Sequence, residues 1–296
     1  MSLNRTPIPK SNLAQIVTDI QKKRELRQLS PDFVKEQVLQ FLQKNHRLRD
    51  FVINSNNPKS VQYKTIIKQV RASLRKVYGL FRMGPEIRLR REACSTLLKT
   101  KGRAVSEQLL NDILSTHSST RERIPSYGTM YGAIFRLTGV PHTIIDLGCG
   151  LNPFSIPFMK LSALHYQAYD ISVDEITALN EFFAWLHSQD KAFTGKAEVL
   201  DITNRAKLEK IPPADLCFLF KMTEVLDQGK GHTVTEAVLK AIPARYIIIS
   251  FSTRTMSGKA MTAPRRRWME WLCKRLHYQY TILEFGNEIL YVVKKG

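Results

Sequence analysis

Two glycines and two aspartates, spaced along residues 148–201, carry the first chemistry legible in this chain. Gly148 and Gly150 follow directly on the apolar run Thr143-Ile144-Ile145-Asp146-Leu147. Glycines there let the backbone pass close to a ligand, and the helix expected after them offers its positive N-terminus. Asp170 comes 20 residues after Gly150, at the end of a second strand-like run, Tyr166-Gln167-Ala168-Tyr169-Asp170. An acid at that distance is placed to take ribose hydroxyls in a Rossmann-type crevice, with Ile171 against the adenine. Asp201, followed by Ile202, ends a further strand and is placed to accept from adenine's exocyclic amine. Asn152 stands where a dinucleotide fingerprint has its third glycine. The set therefore reads as a site for an adenosyl ligand without a pyrophosphate, which points to S-adenosylmethionine over NAD. The plainer readings are an ordinary strand-to-helix turn for the glycines and a helix N-cap for Asp201.

A sheet has to deliver these residues to one edge. The short apolar run at 143–147 predicts a strand covered on both faces, and further strands are expected at 166–170, near 196–200, at 215–220 and at 245–251. Helical spacing lies between them, as in Ile176, Leu179, Phe183 and Leu186 of the helix expected over 173–188. A helix over 265–276 and strands near 278–284 and 288–294 close the chain. Alternating strands and helices predict an α/β fold with a doubly wound sheet. The first hundred residues read differently. Helices are expected over 11–29, from the Ser30-Pro31 cap to about Lys44, over 60–82 and over 86–99, with another at 105–116. We place the boundary so that 1–104 is a helical domain and 105–296 a Rossmann-like one.

Charge separates the two halves more sharply than periodicity does. Of 296 residues with a formal net charge of +19, residues 1–105 hold 23 Lys and Arg against 7 Asp and Glu. Residues 106–296 hold 22 against 19. Folding does not require such an excess, so the first half reads as a surface for a polyanion. The four cysteines, Cys94, Cys149, Cys217 and Cys273, are scattered, with no zinc-ligand spacing, and read as free thiols of a reducing cytosol. No apolar run is long enough for a membrane span, and the N-terminus lacks the apolar core of a secretory signal. A cytoplasmic protein with no metal and no membrane partner is expected, as a monomer.

Three ordered motifs sharpen the reading: His117-Ser118-Ser119-Thr120-Arg121-Glu122-Arg123, the loop DLGCGLNPF at 146–154, and GNEIL at 286–290. In type, order and spacing they resemble the aminoglycoside-resistance 16S rRNA (guanine-N7) methyltransferases. The resemblance covers about residues 105–296 and is loose before them. It implies a class I S-adenosylmethionine-dependent methyltransferase fold with a reversed last strand. It implies methyl transfer to N7 of the decoding-site guanosine at rRNA position 1405, and the broad basic surface makes 16S rRNA in the assembled 30S subunit the expected partner. Protection from 4,6-disubstituted deoxystreptamine aminoglycosides follows, since N7 methylation adds charge and bulk where a polycationic drug docks. By the family motif Arg123 is the fork for the cofactor carboxylate, where its plain reading is a surface arginine at a helix start. Phe220 completes the cofactor-binding set. The chain departs from the family pattern at Thr223-Glu224, where a Leu-Pro pair is usual, and at Ser252, where a proline is usual.

The methyl acceptor is narrowed by what is missing. Methylation of an exocyclic amine usually employs a [DN]PP[YF] loop after the fourth strand, and here that place reads Phe220-Lys221-Met222-Thr223-Glu224. Pyrimidine C5 methylation needs a cysteine nucleophile, and Cys217 lies within an apolar strand with no basic neighbour. Purine N7 has no proton to remove, so no catalytic general base is expected. Alignment and desolvation then carry the rate.

N7 in an A-form helix is hidden in a deep, narrow groove. The base must be turned out, and remote binding energy can offset that cost. Lys64, Lys68, Arg71 and Arg75 recur on one face of the 60–82 helix, beside an apolar stripe of Ile67, Val70, Leu74, Val77 and Phe81. Repeated like charge at helical spacing costs helix stability and reads as a phosphate-binding face, against the plain reading of a solvated one. Arg82, Arg88, Arg90 and Arg91 extend it. Lys221, Arg254, Lys259 and Arg265-Arg266-Arg267 are further RNA candidates. Two alternatives stay open: an enzyme for a different rRNA or tRNA purine, and a non-catalytic RNA-binding assembly factor with a relic cofactor pocket.

Overall fold

The computed structural model describes residues 7–78, 86–99, 107–227, 231–255 and 258–296. The chain divides into two compact units, Met1–Arg82 with Ile171–Val173, and the remainder.

In the first unit, helices α1 (Lys10–Gln21), α2 (Pro31–Lys44), α3 (His46–Asn54) and α4 (Val61–Tyr78) follow one another, with a 3-10 turn at Arg24–Leu26. Their core is aliphatic: Ile16, Ile20, Val34, Val38, Leu42 and Val70 are almost fully buried. Proline at the first position of α2 fits the missing N–H there. On α4 the buried stripe is Tyr63, Ile66, Val70 and Leu74, with Ile67 only partly covered, so the helix is rolled slightly from the expected phase. Phe81 and Arg82 lie outside the described residues, as do the side chains of Val77, Arg88, Arg90 and Arg91. Helix α3 had no expectation of its own. It buries only Val52 fully, so its sequence carries little apolar periodicity.

The second unit begins with α5 (Glu86–Lys99), α6 (Glu107–Ser115), α7 (Ser118–Arg123) and α8 (Tyr127–Thr138). Strands β1 (Thr143–Leu147), β2 (Leu164–Asp170), β3 (Phe193–Val199), β4 (Ala214–Phe220), β5 (Ala244–Ser252), β6 (Gln279–Phe285) and β7 (Glu288–Lys294) form one sheet. Helices α9 (Val173–Gln189), α10 (Arg205–Leu208), α11 (Thr223–Asp227), α12 (Thr233–Ala241) and α13 (Arg267–Arg275) complete it. Strand order is β3-β2-β1-β4-β5-β7-β6. The first five strands run parallel, and β7 inserts antiparallel between β5 and β6. This is the class I methyltransferase arrangement, reversed strand included.

Two-residue periodicity explains why the central strands read as unbroken apolar runs. Ile144, Phe218, Ile248 and Leu290 enter one core cluster. Their neighbours Ile145, Cys217, Ile249 and Ile289 enter a second. Successive side chains on a strand point to opposite faces, and both faces are covered. Cys94 and Leu97 of α5 belong to the first of these clusters. The unit division at residues 82 and 83 therefore precedes the boundary that charge suggested at 104, because α5 is basic in composition but packs into the sheet core.

The segment after the glycine loop also differs from expectation. Asn152–Met159 is a 3-10 helix containing Pro153 and Pro157. Prolines lack the N–H that an α-helical ladder needs, so no α-helix N-terminus follows β1 there.

Candidate functional site

The glycine loop is pinned across the sheet edge. Gly148 and Cys149 donate their backbone N–H groups to Tyr169 O at 2.8 and 3.0 Å, and Gly150 donates to Asp170 Oδ2 at 3.0 Å. The loop and the nearly buried Asp170 carboxylate thus form one rigid piece. Gly148 and Gly150 have φ of 66° and 50°, in the left-handed region. A Cβ on Gly148 would fall 2.6 Å from Met222 Cε and 2.8 Å from its Cγ. Gly148→Ala is therefore expected to cost about 1–2 kcal/mol in backbone strain, with the flexible Met222 side chain moving aside. Chemical denaturation checks this, and an unchanged midpoint contradicts it.

Asn152, the residue in place of a fingerprint glycine, ties the loop to the layer beneath. Its Nδ2 donates to Asp146 Oδ2 at 3.0 Å, and its Oδ1 accepts from Tyr127 OH at 3.2 Å. Tyr166 OH donates to the same Asp146 oxygen at 2.7 Å. Burial pushes the Asp146 carboxyl up to about 6, against the pull of Asn152 and Tyr166. A pKa raised on folding contributes stability that is complete below the ordinary value and lost as pH rises through the folded one. Asp146→Asn keeps an acceptor for both donors. The wild type should lose roughly 2–3 kcal/mol relative to that variant between about pH 4 and pH 7. Parallel melting curves across that range would expose the opposite trend if it exists.

Arg123 is far from the surface position its sequence neighbourhood suggested. It is 3% exposed. Its Nε donates to both Glu288 oxygens, at 3.0 and 2.9 Å, and its guanidinium lies 4.4 Å from the Phe220 ring centroid. Burial alone would lower its pKa, but Glu288 holds it above the ordinary value. Glu288 in turn is held below the usual carboxylate range, against its burial, by Arg123 and Lys221. Lys221 Nζ bridges Glu288 at 2.9 Å and Glu122 at 2.6 Å, from a backbone at φ 55°. Glu122 and Glu288 stand within the quoted motifs, yet sequence reasoning gave neither a role. Lys221 bridges the two carboxylates, which stand 166 residues apart in the chain, from 122 to 288.

Among the polar atoms buried without a hydrogen-bond partner are Arg123 Nη2 and Asp201 Oδ2. Leaving such an atom unpaired costs about 1–3 kcal/mol, so each is suited to a ligand group: an acceptor anion at the first, an N–H donor at the second. Asp201 Oδ1 is already taken by Thr203 N and Oγ1, at 2.9 and 2.8 Å. The capping of α10 falls to Asn204, which accepts from Lys207 N, so Asp201 is not a helix cap. Ile202 is buried in the second sheet cluster. Ile171 groups with the first unit and packs against that unit's core. Of the remaining cofactor candidates, Gly148, Gly150, Asp170, Asp201 and Phe220 belong to the loops and strand ends at the carboxyl edge of the sheet, and Arg123, the last residue of α7, meets that edge through Glu288. Cys217 is fully buried, and burial pushes its thiol well up, so it offers no nucleophile.

The basic candidates separate by what they already hold. Lys64 and Lys68 are exposed and make no ion pair among the described residues. Arg71 donates to the backbone carbonyls of Ile20, at 3.3 Å, and Asp19, and so caps the end of α1. Arg75 grips Glu25 through Nε and Nη2, at 2.9 and 2.6 Å. Arg254 braces its own loop through Asn287 Oδ1 and Gly258 O, at 2.8 and 2.9 Å, while the Lys259 side chain is exposed. Lys221 is spent on the two glutamates.

The family described as Ribosomal RNA methyltransferase (FmrO) matches residues 55–292, which span all of these site residues. The chain belongs to that family. Among curated relatives of this rRNA methyltransferase, the 16S rRNA (guanine(1405)-N(7))-methyltransferase of Proteus mirabilis is 25% identical over 246 residues, covering 78% of this chain and 85% of its own. The relative of the same name in Micromonospora echinospora is 29% identical over 239 residues, covering 77% and 82%. Among solved structures, the 16S rRNA methyltransferase RmtF in complex with S-adenosyl-L-homocysteine aligns with a TM-score of 0.74, at 20% identity, over 97% of this chain and 100% of its own. At that identity the likeness speaks for the fold alone, the one the family resemblance implied.

Proposed function

We infer that this methyltransferase transfers the methyl group of S-adenosylmethionine to N7 of a guanosine in 16S rRNA. The nucleotide is guanine 1405, the one its curated relatives are named for. The carrying observation is Arg123, buried against the Phe220 ring with Glu288 on Nε and nothing on Nη2. Nη2 and the loop would hold the cofactor's amino-acid end, Asp170 the ribose, and Asp201 Oδ2 the adenine amine. The cofactor supplies an electrophilic methyl group. Guanine N7 has a lone pair in the plane of the base and no proton, so the chain needs no general base. That agrees with a site whose Asp146 is tied to Asn152 and Tyr166 and whose Cys217 is sealed in the sheet. What the chain contributes is a fixed pocket and a surface to seat the RNA.

The substrate in this reading is the assembled small subunit, because an unstructured strand offers basic side chains no fixed phosphate pattern. The place of action is the cytoplasm, where ribosomes are, and no helix among the described residues is long and apolar enough to cross a membrane. Labelled methyl transfer to 30S particles, protein-free 16S rRNA and 50S particles tests the substrate. Transfer to 30S particles alone is expected, and equal labelling of naked rRNA would overturn it.

A further inference from the structure

Helix α13 turns a face to solvent that neither the fold nor the cofactor site uses. It buries Met269, Leu272 and Cys273 against the sheet. Arg267, Trp271 and Lys274 point outward, and Trp271 is 70% exposed. The three residues recur at i, i+4 and i+7, which puts them in one stripe. The other cations nearby are occupied, Arg265 by Glu270 and Arg275 by Glu236. Arg267 and Lys274 make no ion pair among the described residues. The single carboxylate of the helix, Glu270, also accepts from Tyr291 OH at 3.2 Å and Tyr280 OH at 3.4 Å, so it does not neutralise the face.

The stripe starts at the working edge of the sheet. Arg266, just before α13, donates its backbone N–H to Tyr291 OH at 2.8 Å. Its guanidinium donates to Ser252 O at 3.1 Å and to Glu224 at 3.3 Å. Ser252 ends β5 and Glu224 lies just past β4. These are the carboxyl ends of the strands, the edge that also carries Gly148 and Lys221.

We propose that the Arg267–Trp271–Lys274 face of α13 binds an unpaired nucleotide of the rRNA substrate, with the indole stacked on the base and the two cations on flanking phosphates. This rests on the rRNA methyltransferase reading. An aromatic platform between unpaired cations is the chemistry of single-stranded nucleic-acid binding, since every base offers a π-face and every linkage an anion. A protein partner would call for a broader apolar patch, whereas the exposed neighbours of Trp271 on its helix are Arg267, Lys274 and Arg275. The face belongs to the second unit, not to the basic helices of the first, and gives the substrate a second hold.

Trp271→Ala, Trp271→Phe and the double variant Arg267→Glu/Lys274→Glu, in the full chain, test it. Trp271 is on the surface, so the variants should fold, and calorimetric S-adenosylmethionine affinity checks that they do. For Trp271→Ala the KM for 30S particles should rise about tenfold with kcat unchanged, and Trp271→Phe should recover most of it. Affinity for a short labelled oligouridylate, read by anisotropy, should fall in parallel. The double variant should flatten the log–log salt dependence by roughly 0.7–0.9 for each phosphate no longer neutralised. Wild-type KM in Trp271→Ala, or an equal loss in Trp271→Phe, overturns the stacking site. Weaker subunit binding with unchanged oligouridylate affinity assigns the face to a ribosomal protein and overturns it too. A wild-type protein that binds oligouridylate through this face but methylates no rRNA would defeat the enzymatic reading and leave the surface standing.

Discussion

Replacing Arg123 with alanine is expected to weaken S-adenosylmethionine binding at least tenfold while leaving most of the sheet intact. The guanidinium is fixed on one side by Glu288 and packed on the Phe220 ring, and its Nη2 is left for a carboxylate. A charge-assisted hydrogen bond contributes about 1.5–3 kcal/mol, which is roughly a tenfold to hundredfold loss of affinity. A second effect adds to it. Without Arg123, Glu288 stays buried with Lys221 as its remaining cation, and breaking a buried pair destabilises by up to about 3–5 kcal/mol. Arg123→Lys separates the two effects. It restores a charge for Glu288 but not the planar fork, so stability should return more fully than affinity. Calorimetry and thermal melts on the three proteins measure both, and wild-type affinity in Arg123→Ala would place the pocket elsewhere. Asp170→Ala should weaken binding as well, because its carboxylate is the acceptor that fixes Gly150.

Charge reversal at Lys64 and Lys68 is expected to cut binding to the small subunit without touching cofactor affinity. Both are exposed on α4 with no ion pair among the described residues. If each meets one phosphate, the log–log salt slope of binding should be shallower by roughly 0.7–0.9 per phosphate in the double variant. Reversing Arg71 and Arg75 as well would confuse the result. Arg71 caps the carbonyls of Asp19 and Ile20, and Arg75 holds Glu25, so their loss would disturb the helical unit itself. An unchanged salt slope in Lys64→Glu/Lys68→Glu would remove α4 from the docking surface.

Local pattern made much of the fold readable. The apolar runs that become β1, β4, β5 and β7 need both faces buried, and only a covered sheet offers that. Strand β1 begins and ends at the expected residues, Thr143 and Leu147. What escaped is what local pattern does not encode. Helix α3 is too polar to show a stripe. Two prolines turned the expected α-helix after the glycine loop into a 3-10 segment. Helix α5 carries the charge of the first half but the packing of the second. The site divides in the same way. The glycines, Asp170 and Asp201 were legible because spacing from a strand fixes their place. The Arg123–Glu288–Lys221–Glu122 chain was not, because nothing local announces that a glutamate at the start of the last strand will meet an arginine from a helix before the first. Sequence likewise could not tell that Arg71 turns inward to α1 while Lys64 and Lys68 on the same helix stay in solvent.

What distinguishes this enzyme from other RNA methyltransferases is the atom that receives the methyl group. Small subunits treated with this protein and S-adenosylmethionine can be extracted, reduced and cleaved at N7-methylguanosine, then mapped by primer extension along 16S rRNA. One new stop, at guanine 1405, present with the wild type and absent with Arg123→Ala, is the predicted result. A stop at another nucleotide, or methylation that resists N7-specific cleavage, would contradict it.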